Sequence, residues 1–242
     1  MRLSFSGCCK VGQVRSVNED AVLMRASEAG GLFLVADGVG GQAHGEVVSG
    51  LLRDHYGRWW EERFLTQSRF MEFPDALDEL KNTLLRVNRE VIDRFGEMAA
   101  GSTLALLFLF RGAYMCLSAG DSRIYLSNGL TVRQITLDDT YANLKGCSGS
   151  SESSAGGKLV GAVGIRTTQE FWLNTGVLRR SNSFFLCSDG VYRFVDSHKL
   201  NRAMLFPWGG PERLVEKLSR EVEYSGAKDN YSMIYLQVKS NC

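Results

Sequence analysis

Proline is scarce in this chain, at 3 of 242 residues where average usage would give about 12. So few rigid breaks argue against Pro-rich linkers, and the 26 glycines point to tight backbone turns instead. Charge of one sign is also missing. Lys and Arg number 28 against 27 Asp and Glu, a net charge of +1, so no nucleic-acid or anionic-membrane partner is expected. No apolar run is long: Leu104 to Phe110 falls far short of a bilayer span. The first residues, Met1 to Ser6, lack the apolar core of a signal peptide, and the expected localisation is cytoplasmic. The six cysteines show no Cys-x-x-Cys spacing, and Cys116 and Cys187 lie in apolar runs where a buried thiol is the simple reading. His44, His55 and His198 lack zinc spacing, and no Gly-x-Ser-x-Gly elbow supports a serine hydrolase.

What is present is a soluble composition, 44% hydrophobic and 23% charged, with enough chain to bury a core without disulfides. Leu32–Ala36, Thr103–Phe110, Ala113–Ser118, Arg123–Leu126, Phe184–Cys187 and Met233–Val238 read as strands, each bounded by turn formers. Arg111-Gly112 looks like a tight hairpin connection. Apolar residues three and four apart predict helices from about Glu46 to Phe64, from near Pro74 to about Met98, and from about Pro211 to Tyr224. Long helices followed by hairpin strands argue for an α+β fold. A Gly/Ser-rich stretch from Gly146 to Gly157 is either a linker between domains or a loop within one.

Several acids share one setting, the end of an apolar run beside a small or turn residue. Asp37 precedes Gly38, Asp121 follows Gly120, Asp189 precedes Gly190, and Glu19-Asp20 lead into Ala21-Val22-Leu23. Asp229 stands just before the last strand. Any one of these is explained by the turn-forming habit of Asp. Converging acids, however, repel each other unless a cation lies between them, and an all-oxygen set suits Mg²⁺ or Mn²⁺. Two such ions sharing a carboxylate and a water serve phosphoester hydrolysis.

These residues also form an ordered motif set. It runs Gly12-Gln13-Val14-Arg15-Ser16-Val17-Asn18-Glu19-Asp20, Val35-Ala36-Asp37-Gly38-Val39-Gly40-Gly41, Gly45-Glu46 and Gly101-Ser102-Thr103. Ala119-Gly120-Asp121-Ser122-Arg123, Cys187-Ser188-Asp189-Gly190 and Lys228-Asp229-Asn230-Tyr231-Ser232 complete it. In this the chain resembles the metal-dependent protein phosphatases of the 2C type, in their stand-alone bacterial form. The resemblance implies an α-β-β-α sandwich, two packed antiparallel sheets flanked by helices, forming a single catalytic domain over 1–242. It implies two Mn²⁺ or Mg²⁺ ions and a third, weaker one. Asp37 would bridge the two metals, the Gly38 carbonyl would bind one, and Asp189 and Asp229 would hold the other. Glu19 and Asp20 would bind or orient metal waters, Asp121 matches the third-metal position, and Arg15 would grip the substrate phosphate.

The implied activity is hydrolysis of phosphoserine and phosphothreonine on proteins by a metal-activated water. A phosphoprotein substrate, its Ser/Thr kinase as antagonist, and a monomeric enzyme follow, and a type VI secretion setting is among the contexts allowed. The alternative is a pseudophosphatase that binds phosphoproteins without turnover. Three departures from the family pattern stand out. Gln42 replaces the histidine common after the Gly-Gly pair, which leaves His44 as the candidate proton donor. Asp138-Asp139 replaces an Asp-His pair. The Gly/Ser-rich stretch falls where the family carries a variable flap, near 141–160, and with acids of one site on both sides of it, the loop reading displaces the linker.

Two rival motifs are weaker. Cys187 and Arg193 have the Cys-x5-Arg spacing of cysteine phosphatases, but Asp189 inside that loop would repel a phosphate. Gly38–Ala43 mimics a dinucleotide fingerprint, yet Asp37 would face the pyrophosphate.

Overall fold

The computed structural model describes residues 1–39, 44–139, 161–167 and 171–239. The expected flap near 141–160 and Gln42 lie outside the described residues. Among the described residues, ten strands form two five-stranded sheets. The first sheet has the order β1 (Arg2–Lys10), β10 (Tyr231–Lys239), β9 (Ser183–Cys187), β6 (Arg123–Ser127) and β7 (Val132–Gln134). The second runs β2 (Asp20–Ala26), β3 (Gly30–Asp37), β4 (Leu104–Phe110), β5 (Ala113–Ala119) and β8 (Trp172–Val177). All of these pairings are antiparallel.

The strand sequences explain the layering. β4 is Leu-Ala-Leu-Leu-Phe-Leu-Phe and buried throughout, because both of its faces are covered. Its odd-numbered positions Ala105, Leu107 and Leu109 join Phe33, Val35, Phe184, Leu186, Ile234 and Leu236 between the sheets. Its even-numbered positions Leu104, Leu106 and Phe108 pack outward against helices with Leu34, Leu52, Leu84 and Val87. Helices α1 (Gly45–Arg58) and α2 (Phe73–Phe95) cover that sheet. The other sheet is covered by α3 (Asp189–Tyr192), α4 (Ser197–Leu205) and α5 (Gly210–Tyr224). The result is the expected α-β-β-α sandwich.

Helix α2 begins at a capping box, in which Glu72 and Asp75 exchange side-chain and backbone hydrogen bonds ahead of Pro74 in the first turn. It ends at Phe95, short of the expected Met98, because Gly96 (φ 90°) and Met98 (φ 61°) leave the helical region. The first helix is α-helical only to Arg58. A π-helical segment over Trp59–Phe64 follows, which lets Trp59, Trp60 and Phe64 all reach the core, with Trp60 stacked on Phe64 at 4.5 Å. A last α-turn closes it at Leu65–Gln67. Strands β1, β2, β7 and β8 and helices α3 and α4 are additions to the sequence expectations. β8 is an edge strand whose residues mostly face solvent, so its strand character comes from pairing with β5 rather than from an apolar run.

Candidate metal and active site

The sandwich carries its acids to one end. Asp20 opens β2 and Asp37 closes β3, and the antiparallel register sets them directly opposite each other. Asp37 is locked through its backbone. Its N–H donates to Thr103 Oγ1 at 2.9 Å, and its carbonyl accepts from the Thr103 N–H at 2.8 Å and from Ser102 Oγ at 3.1 Å. Thr103 Oγ1 is in turn hydrogen-bonded to Ser122 Oγ at 2.7 Å. The Gly-Ser-Thr motif is thus a clamp on the Asp37 peptide. Gly38 is required where it stands, since a Cβ there would lie 2.5 Å from the Gly45 carbonyl carbon and 2.8 Å from Glu19 O. That approach ties the Asp37 turn to the start of α1.

Asp189 and Asp229 meet by a similar device. A Cβ on Gly190 would lie 1.9 Å from Asn230 O, so only glycine lets the first turn of α3 pack on the loop before β10. Asn230 pins the N-terminal loop to this corner. Its Nδ2 donates to Val11 O at 2.8 Å and Val17 O at 2.9 Å, while its Oδ1 accepts from the Glu19 N–H at 2.9 Å. Glu19 is held further by Gly38 N–H and Ser49 Oγ, both donating to its carbonyl. Asp121 follows Gly120 (φ 86°), and Gly120 exchanges two 2.9 Å hydrogen bonds with Asp139. Asp139 therefore shapes the turn that presents Asp121.

The electrostatics follow from this convergence. Burial pushes the Asp20 carboxyl up to about 6, with the charges of Asp189 and Asp229 adding to it and the Ser188 hydroxyl, donating at 3.0 Å, opposing it. Asp37 rises well above the usual carboxylate range through burial first, then the charges of Asp20, Asp189 and Asp121. Asp121 is raised by burial and Asp189, against the pull of Tyr192 OH at 3.0 Å and of Arg193. Glu19 is raised by burial and by Glu46.

Two arginines meet the outer acids. Arg15 forks onto Asp229, Nε to Oδ1 at 2.9 Å and Nη2 to Oδ2 at 3.0 Å. Arg193 Nη2 lies 3.0 Å from Asp189 Oδ2 and 3.6 Å from Asp121 Oδ2. Behind them, the Arg123 guanidinium sits 3.6 Å over the Tyr192 ring and forks onto Asp138. Asp138, one half of a departure from the family pattern, thus anchors the tyrosine that holds Asp121.

The chemistry of this donor set suits divalent cations. Asp20 Oδ1 is buried with no hydrogen-bond partner, and the carboxylates around it raise one another's affinity for positive charge. Among the described residues no three carboxylate, imidazole or thiol groups form a ready-made cage for an ion.

The structure therefore brings together Glu19, Asp20, Asp37, Gly38, Asp121, Asp189, Asp229 and Arg15. His44 stands apart in its contacts: it begins α1 with φ 99° and stacks its ring on Phe95 at 4.9 Å. Residues that motif reasoning left without a role are Thr103, Asn230, Ser188, Tyr192 and Arg193. The four-residue spacing of Asp189 and Arg193 on a helix was the available signal for the last of these.

A family model described as protein phosphatase 2C matches residues 12–223. The structure superposes on PppA, described as a key regulatory component of T6SS in Pseudomonas aeruginosa, with a TM-score of 0.81 at 30% identity over 98% of both chains. The Mycobacterium tuberculosis serine/threonine phosphatase PstP/Ppp shares the fold at a TM-score of 0.82 and 23% identity, over 98% of this chain and 99% of that one. In sequence, the serine/threonine phosphatase stp of Listeria monocytogenes is 24% identical over 93% of this chain and 92% of its own length.

Proposed function

We propose that this chain, which belongs to the protein phosphatase 2C family, is a single-domain, metal-dependent hydrolase of phosphoserine and phosphothreonine on proteins. The observation that carries this reading is the facing pair Asp20, buried, and Asp37, half-buried, which repel each other while Thr103 and Ser102 clamp the Asp37 backbone. Such a pair is costly in a chain that does not bind a cation there. Asp37, Asp20, Asp189 and Asp229 would hold two Mn²⁺ or Mg²⁺ ions, with Glu19 beside them and Asp121 at a third position. Bound there, the ions supply a water activated for attack on phosphorus and positive charge to offset the charge growing on the phosphoryl oxygens.

The chain's own groups do the rest. Arg15 is half exposed at the rim, and its pairing with Asp229 uses only part of a five-donor guanidinium, so a phosphate monoester entering the cleft meets a fixed positive fork. The Thr103 and Ser102 clamps hold the Asp37 carboxylate at the strand end, so little reorganisation is needed as charge develops. His44 is the imidazole nearest in sequence to the Asp37 turn and the candidate for the leaving-group proton, and its ring would have to leave Phe95 to serve. The similarity to PppA extends the proposal to a secretion-linked setting, with a Ser/Thr kinase as the opposing activity.

The test is phosphate release from p-nitrophenyl phosphate and from a phosphothreonine peptide, with Mn²⁺ and with EDTA. Turnover with Mn²⁺ and none with EDTA is expected. Activity that survives EDTA overturns the metal mechanism, and phosphopeptide binding without turnover in Mn²⁺ establishes the pseudophosphatase alternative.

A further inference from the structure

Away from the acids, the outer helical layer carries a groove of about 1270 Å³ between α4 and α5. Its walls hold three aromatic side chains left in water: Phe206 at 64%, Trp208 at 85% and Tyr224 at 91% exposure. Each offers roughly 150–250 Å² of contact area, and clustered exposed apolar groups mark interaction sites. Phe206 and Trp208 lie on the short α4–α5 connection, and Tyr224 closes α5, so the three stand on fixed backbone rather than on a free tail.

The same walls carry five cations. Lys199 and Arg220 are held by Glu221 and Glu216. Arg202, Arg213 and Lys217 are exposed and have no carboxylate partner among the described residues. A groove with unpaired positive charge beside uncovered aromatic rings is complementary to a chain segment that alternates acidic and apolar side chains. Arg, Trp and Tyr are also the residues that dominate binding energy where a partner is desolvated.

We propose that this groove docks an acidic, unphosphorylated segment of the phosphoprotein substrate, while the phosphorylated residue enters the carboxylate site at the strand ends. The inference rests on the phosphatase reading for its biological sense but not for its binding. A polypeptide fits better than a nucleic acid, since a net charge of +1 leaves little of the long-range positive field that a polyanionic backbone draws on. None of the lining residues belongs to the carboxylate site, so docking and hydrolysis are separable by substitution.

Two variants test it: the charge reversal R202E/R213E/K217E, and the aromatic removal F206S/W208S. Each is compared with the wild-type chain in Mn²⁺ on phosphocasein, an acidic phosphoprotein, and on p-nitrophenyl phosphate. The expected result is a KM for phosphocasein raised by roughly tenfold in each variant, with its kcat and all p-nitrophenyl phosphate kinetics unchanged. Anisotropy of a fluorescein-labelled acidic peptide rich in Glu and Phe gives a readout that needs no catalysis. Binding by the wild type that weakens with salt and is lost in both variants supports the site. An unchanged phosphocasein KM, no peptide binding by the wild type, or tighter binding of poly(U) than of the peptide overturns it. Peptide binding in a chain that hydrolyses neither substrate removes the phosphatase reading and leaves the groove standing.

Discussion

The acids at the end of the sandwich form two groups that the protein treats differently. Asp20 and Asp37 face each other in register at the inner strand ends and belong to no ion pair among the described residues. Asp121, Asp189 and Asp229 stand around them, and each is met by an arginine, Arg193 for the first two and Arg15 for the third. These three acids are provided with positive charge by the chain itself. The inner pair is left to find it elsewhere. On the proposed reading the cations are drawn chiefly to these two carboxylates, and the arginines set how the approach to them is charged.

The largest expected effect breaks the inner pair. Asp37→Asn should lower Mn²⁺-dependent turnover of p-nitrophenyl phosphate by ~10³-fold or more, while the metal-free protein melts at a higher temperature than the wild type. The amide cannot carry the charge that burial and neighbouring acids penalise. Near-wild-type turnover would remove Asp37 from its assigned place.

Next comes the rim arginine. Arg15→Ala should cost about 10- to 100-fold in kcat/KM, the worth of a charge-assisted fork to phosphate. An effect within twofold would mean that Arg15 serves Asp229 alone.

A smaller effect comes from pH. The folded chain holds the protons of Asp20 and Asp37 more tightly than the unfolded chain does. Metal-free stability therefore falls as pH rises from near 4, with Asp20's share gone by about 6 and Asp37 adding to the fall in the same direction. Between pH 5 and pH 8 Asp20 alone should account for a loss of about 1.4 kcal/mol, or ~4 °C in Tm, and saturating Mn²⁺ should reverse it. Calorimetry at several pH values, with and without Mn²⁺, checks both. A melting temperature that climbs with pH in the metal-free protein contradicts the inner-pair account.

The smallest effect sharpens the outer group. Arg193 is half exposed, so its pull on Asp121 and Asp189 is weak, and Arg193→Met should raise Mn²⁺ affinity by less than about fivefold. Isothermal titration gives this number directly, and a decrease in affinity would show that Arg193 supports the metal site instead of competing with it.

Much of this was legible in the chain before any coordinates. The two long helices announce themselves by apolar residues three and four apart, and β4 by seven apolar residues between turn formers. The acids of the site could be picked out because each sits beside a glycine or turn residue at the end of such a run. Less legible were β1, whose sequence Arg-Leu-Ser-Phe-Ser-Gly-Cys-Cys-Lys has few bulky residues, and the exposed edge strand β8. Each is a strand because a distant partner, β10 or β5, supplies its hydrogen bonds. The role of Asn230 was hidden for the same reason, since its three partners lie more than 200 positions away.

By itself, then, the sequence determined the long helices, the apolar strands of the core and the carboxylates at their ends, because helix periodicity, strand burial and turn chemistry are properties of neighbouring residues. Only the tertiary structure decided that Asp20 would face Asp37 unpaired, that Arg15 and Arg193 would take the outer acids, and that Arg202, Arg213 and Lys217 would share a groove with Trp208. Those are facts of register and helix packing, set by pairings between segments far apart in the chain, and charge interactions of this kind depend on distances that no local pattern records.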